Sequence, residues 1–276
     1  MRFILLLLLP ILFDLSGKAQ PKVFQDSLAQ FSYLLFGSTV LNKESNSTKV
    51  QGRQGTGFFI KKHKRIYFVT ARHAVTNHVI DGEKRNDFPE NYNVYSHYSD
   101  PFNFIPVPAE WFPGNSKIKD ALNTSDVFTY DVTDHLNSMP ISYIDLPGNL
   151  KPFKASKSGY GEIRFFGFPE KMNRVENGII QISPPYLFTS KNFSLTQNFL
   201  NQIGNEIGID SFRYEIQIKD SKVSSGLAGF SGSPVFIQTD QTNKWEFLGI
   251  AVAINPIRNS IYVVKREIIL MQILNL

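Results

Sequence analysis

Ser231 stands in the hexapeptide Gly229-Phe230-Ser231-Gly232-Ser233-Pro234, surrounded by the residue types that a nucleophilic serine needs. A hydroxyl attacks a carbonyl only when a base takes its proton. The loop that carries it must also aim backbone N–H groups at the oxyanion that forms. Gly229 and Gly232 let the chain turn sharply with no Cβ in the way, and Pro234 opens the apolar run Val235-Phe236-Ile237. Alone, the hexapeptide fits a Gly/Ser turn between two strands equally well. Joined by a base and an acid, it would serve acyl transfer.

The base must come from upstream. The five histidines, at 63, 73, 78, 97 and 135, all precede Ser231. That order excludes the Gly-x-Ser-x-Gly nucleophile elbow, whose histidine follows its serine. His73 follows the apolar run 66–69 and the small pair Thr70-Ala71, which leaves room for an acid beside its ring. Of the other four histidines, His63 lies in a basic turn, His78 follows Thr76-Asn77, and His97 and His135 sit among polar residues. The acid of a His–Asp–Ser order lies between His73 and Ser231. Asp126 enters the apolar run 127–132, where a carboxylate can be buried and accept the imidazole N–H. Asp131 is the alternative; inside the run it is expected to face solvent, so Asp126 is preferred.

These residues need a frame that brings distant parts of the chain together. Short apolar runs between turn residues predict strands at 57–60, 66–69, 94–98, 127–132, 163–168, 178–182, 212–218, 234–238, 247–254 and 261–264. Many short strands of this kind suggest a barrel or a sandwich. Helix signals are few. Ser194-Leu195-Thr196-Gln197 reads as a capping box that opens a helix ending near Gly204, and 265–276 reads as an amphipathic terminal helix. The Pro- and Gly-rich stretch 146–161 is the expected linker between two halves.

Three motifs then carry a family resemblance. Thr70-Ala71-Arg72-His73 resembles the histidine motif of trypsin-like serine peptidases, Ser125-Asp126-Val127 their aspartate motif, and Gly229 to Pro234 their serine motif. Gly161-Glu162-Ile163 through Gly167-Phe168-Pro169 resembles the strand that opens the second barrel in bacterial members. Ser233 departs from the commoner glycine and is similar to a bacterial branch that includes glutamyl endopeptidases.

The resemblance implies an all-β, chymotrypsin-like fold: two six-stranded antiparallel β-barrels with a C-terminal helix. The first barrel would span about 30–150, the second about 155–264 and the helix 265–276, all within a peptidase domain 20–276. It implies His73, Asp126 and Ser231 as a catalytic triad and the N–H groups of Gly229 and Ser231 as an oxyanion hole. It also implies that 247–254 pairs with substrate backbone, making Val252, Ala253 and Ile254 substrate-binding residues. Ser225 falls where the family floors its primary specificity pocket; being uncharged, it gives no case for basic or acidic specificity. The implied activity is endopeptidase, with a polypeptide partner, no metal and no organic cofactor. A catalytically silent binding module on the same fold and an esterase using the same triad remain the alternatives.

Composition fits a globular exported protein. The chain has 276 residues, 42% hydrophobic and 19% charged, with 24 Phe and 11 Tyr. Arg2, an apolar run 3–13 and Gly17-Lys18-Ala19 together read as a signal peptide over 1–19, too short an apolar run to stay as a membrane anchor. The absence of cysteine removes thiol nucleophiles and thiolate metal sites, and in an exported chain points to the bacterial periplasm or the secreted fraction. Net charge is +5, and the one dense basic cluster, Lys61, Lys62, Lys64 and Arg65, is expected at a solvated hairpin tip rather than on nucleic acid. The chain is expected to be a stand-alone protease domain. Oligomeric state is not legible.

Overall fold

A computed structural model describes residues 27–41, 49–75, 91–95, 104–108, 126–136, 141–146, 153, 160–169, 174–176, 179–203, 206–223, 228–239 and 244–274. The expected signal segment 1–19, most of the linker 146–161 and Ser225 lie outside these residues.

The strand-forming runs pair into two large sheets. The first contains β1 (Tyr33–Leu41), β2 (Lys49–Lys62), β3 (Arg65–Ala71), β4 (Asn91–Tyr95), β5 (Phe104–Pro108) and β6 (Val127–Asp131), in the antiparallel order β5-β4-β1-β2-β3-β6. A short β7 (Tyr143–Asp145) joins β2 in parallel. In the second sheet, β8 (Tyr160–Gly167), β11 (Tyr186–Ser190), β12 (Phe193–Ile203), β13 (Glu206–Ile218), β14 (Pro234–Thr239), β15 (Lys244–Asn255) and β16 (Ser260–Lys265) run antiparallel as β11-β8-β14-β15-β16-β13-β12. Between them in sequence, β9 (Arg174–Glu176) and β10 (Ile179–Gln181) form a separate hairpin. A one-turn helix α1 (Arg72–Val75) follows β3, and α2 (Arg266–Leu274) closes the described chain.

This is the all-β, chymotrypsin-like class that the resemblance implies, with two antiparallel sheets and a C-terminal helix. Among the described residues each sheet has seven strands. In the first, β7 follows from the length of β2. Lys49 to Gly57 pairs with β1, which leaves the same edge free at Phe59 to Lys61 to receive β7.

The helix expected from the capping box at 194–197 is instead β12, paired with β13 from Phe193 to Gln197 and, after an irregularity, from Phe199 to Ile203. The reason is alternation. Phe193 and Leu195 pack against the second sheet's core while Thr196 is exposed, a period of two that suits a strand. Long-range pairing outweighs a capping signal that rests on four local residues. The basic cluster lies at the β2–β3 hairpin tip, where His63 takes φ +56°. There Arg65 donates to Asp131 at 2.6 Å and Lys61 lies over the Tyr143 ring.

Alternating side chains of the strands serve two cores. Phe59 and Phe68 turn into the first sheet's own core with Tyr33 and Phe128. Phe58, Ile60 and Val69 turn the other way, meeting Phe166, Phe236 and Phe247 of the second sheet and Ile269 of α2. The two sheets and the helix therefore share one buried contact, and burying each such side chain contributes roughly 1.5–3 kcal/mol.

Asn259, in the β15–β16 turn, holds the chain that leaves β13. Its amide Nδ2 donates to Ile218 O at 2.6 Å and Ser221 O at 2.8 Å, and its Oδ1 accepts the Val223 N–H at 2.6 Å. Its φ of +52° is one that asparagine tolerates and alanine resists. Asn259→Ala is expected to lower unfolding free energy by about 2 kcal/mol or more, measured by urea denaturation; an unchanged midpoint would contradict this account.

Candidate active site

Strand register brings His73 and Asp126 together. β3 and β6 are antiparallel, with Tyr67 opposite Asp131 and Ala71 opposite Val127. The end of β3 therefore lies beside the start of β6, and the next residues outward are Arg72, His73 and Asp126. Arg72 N–H donates to Asp126 O at 3.0 Å. His73 N–H donates to Asp126 Oδ1 at 3.0 Å, and His73 Nδ1 lies 2.7 Å from Oδ2. One carboxylate thus holds both the backbone and the ring of the histidine. Asp126 does so from a left-handed φ of +61°, a conformation that aspartate visits more readily than most residues. A carboxylate can only accept, so the shared proton sits on Nδ1, and in the neutral ring Nε2 is then the acceptor. Burial lowers the pKa of the neighbouring Arg72, an effect that the Asp126 charge opposes.

Asp131 lies at the far end of the same ladder. Its Oδ1 accepts the Thr133 N–H and hydroxyl, and its Oδ2 accepts from Arg65. Burial alone would raise its carboxyl; the bonds from Thr133 and Arg65 outweigh that and hold it below the ordinary aspartate range. It is a structural carboxylate at the hairpin end, with no contact to His73.

Ser231 sits on the loop before β14. Gly229 and Gly232 take φ values of +96° and +97°, which only glycine adopts freely. Gly232 N–H donates to Ala251 O at 2.8 Å, and Ser233 N–H to Phe230 O at 2.9 Å. Among the described residues, no acceptor is paired with the N–H of Gly229 or of Ser231. Ser233 is fully buried, and its hydroxyl occupies the room that glycine leaves at 167: a Cβ there would lie 2.6 Å from Ser233 Oγ.

The first sheet grips this loop through Thr56, a residue that motif reading passes over. Its N–H donates to Ser231 O at 2.9 Å and its hydroxyl to Gly229 O at 2.8 Å. The same hydroxyl accepts the Phe168 N–H, while Thr56 O accepts from Thr70 Oγ1 at 2.7 Å. The available signal was a β-branched hydroxyl between Gly55 and Gly57, in a strand that otherwise turns apolar at Phe58. Gly55 is where the two halves of the site converge. A Cβ there would stand 3.1 Å from Ala74 Cβ and 3.5 Å from Ser231 O.

Ser231 and His73 are not hydrogen-bonded to each other. Ser231 Oγ donates to Val252 O at 3.5 Å, a long and weak bond. Val252 lies at an irregularity in the β15–β16 ladder between Ala251 and Ala253, and its side chain is buried in the shared core. Ala253 is exposed, and Ile254 is half-buried beside the serine loop. Among the described residues, no helix is long and apolar enough to cross a membrane.

No protein-family model matches the chain, and no curated protein matches it. Solved structures similar to it include the thermostable serine protease AL20 from an extremophilic microorganism, at 12% identity and TM-score 0.45, over 86% of this chain and 91% of that one. The protease Anisep from Arthrobacter nicotinovorans matches at 12% identity and TM-score 0.45, over 86% and 90%. A Glu endopeptidase matches at 15% identity and TM-score 0.42, over 90% and 91%.

Proposed function

We propose that this chain is an exported serine endopeptidase using His73, Asp126 and Ser231. The observation that carries the reading is the double grip of Asp126 on His73, ring and backbone together, on the sheet whose Thr56 holds the glycine-turned loop of Ser231. In the first step Ser231 Oγ forms a bond to the peptide carbonyl carbon while His73 Nε2 takes its proton. The carbonyl oxygen becomes an oxyanion and accepts from the Gly229 and Ser231 N–H groups. The C–N bond then breaks, and the imidazolium returns the proton to the leaving amine. Water, deprotonated by His73, attacks the acyl-enzyme and releases the acid and the free serine. Asp126 stays ionised throughout, fixing the tautomer and balancing the imidazolium. For the first step Ser231 must exchange its weak bond to Val252 O for one to His73, and loose geometry of this kind is common before substrate binds.

That same bond favours a second reading, a binding module whose serine is turned away from its base. Incubation of the protein from Gln20 onward with an unstructured protein such as casein separates the two. Fragments in the wild type and none with Ser231→Ala support the peptidase; a folded wild type that leaves casein intact supports the binder. Ester and peptide substrates of matched sequence test the esterase alternative. Export is the companion proposal, tested by whether the mature protein begins at Gln20.

A further inference from the structure

The cavity beside Ser231 has a chemical character of its own, and what it implies rests on the peptidase reading above. It has a volume of about 250 Å³. Phe165, Phe230 and Ile261 close its inner end, each almost fully buried, with the two rings edge to face at 5.5 Å. The space exists because the flanking positions are small: Ala228 on the serine loop, Ala251 and Ala253 on β15. Ile254 and Pro256 complete its rim. Among the described residues, those lining it apart from Ser231 have no polar side chain and carry no charge.

A charged substrate side chain entering this space would lose its hydration and find no partner among the described lining residues, a heavy cost. An apolar one would be drawn in by the surface it buries. Size sets a second condition. An apolar protein cavity of about 150 Å³ holds a benzene molecule, so this cavity has room for a phenyl ring or a leucyl group. We propose that the residue on the acyl side of the cleaved bond is a large apolar one, with Phe, Leu and Met preferred, and that Ala228 and Ala253 set this preference by their smallness.

The test uses a panel of acylated tripeptide amides that differ only in the last residue, beside labelling of the same preparation by a fluorophosphonate serine probe. The expected kcat/KM for Phe or Leu exceeds that for Asp, Glu, Lys and Arg by on the order of 100-fold and that for Ala by roughly 10-fold. Ala253→Leu, at an exposed position, is expected to move the optimum to Ala while the serine still labels. Ala228→Asp is expected to raise Lys or Arg relative to Phe by at least about 10-fold. Labelled protein that prefers a charged residue or shows no preference would overturn the pocket assignment and leave the peptidase standing. Protein that neither labels nor cleaves any member would overturn both.

Discussion

Ser231→Ala and His73→Ala are expected to lose peptide hydrolysis by roughly 10⁴- to 10⁶-fold, and Asp126→Asn by about 10⁴-fold. The asparagine variant is the more informative of the three. Asparagine suits the left-handed backbone at this position, so the turn is preserved. The wild-type carboxylate accepts from both the His73 N–H and Nδ1. An amide has one accepting oxygen, and its nitrogen only donates. If the oxygen keeps the backbone N–H, the NH₂ faces the ring, and Nδ1 must give up its proton to accept. Nε2 then carries the proton and is no longer a base. If the oxygen turns to the ring instead, the backbone hold on His73 is lost. Either way the rate falls without unfolding. The check is kcat/KM on a peptide the wild type cleaves, with a thermal melt as control; a variant within 10-fold of wild type would remove Asp126 from the mechanism.

Gly232→Ala is expected to destabilise the protein by more than about 4 kcal/mol, at the extreme of single substitutions. The added Cβ would fall 1.7 Å from Thr56 O and 2.6 Å from Thr70 Oγ1. Neither neighbour can yield. Thr56 lies fully buried in β2, and its carbonyl is already bonded to Thr70. The loop cannot retreat either, because Gly232 N–H is tied to Ala251 O and Ser231 O to Thr56 N–H. The φ of +97° adds strain of its own. In a chain of this size the melting temperature should fall by roughly 10 °C or more. Gly55→Ala provides a graded comparison, since its Cβ would meet Ala74 at 3.1 Å and needs only a small shift. Equal melting temperatures for the two variants would contradict the packing described at the serine loop.

The parts of this architecture legible in the sequence are those set by local pattern. The apolar runs at 66–69 and 234–238 fall within β3 and β14, the run at 127–132 covers β6 and one residue more, and the terminal apolar pattern forms α2, with Ile268, Ile269 and Ile273 buried. Local pattern misled at 194–197, where a capping box and a strand share the same residues and only the pairing with β13 decides. It was silent on β7, whose three residues are a strand only because β2 offers a free edge.

In the candidate site, residue types were legible and contacts were not. Asp126 and Asp131 both sit at a strand of β propensity, and what separates them is register: one lies opposite the end of β3, the other opposite its beginning. Thr56 reaches Gly229 across 173 positions of sequence, a bond that no local spacing encodes. The emptiness of the pocket follows in the same way from three alanines that meet only after β15 pairs with β14 and the serine loop folds over them.

The most direct measurement of the central claim is labelling of purified protein from Gln20 onward by a fluorophosphonate probe, beside Ser231→Ala and His73→Ala. The account predicts one adduct per chain at Ser231 in the wild type and none in either variant, because His73 must take the hydroxyl proton for phosphorus to be attacked. A well-folded wild type that stays unlabelled, or labelling that persists at another serine in Ser231→Ala, would contradict it.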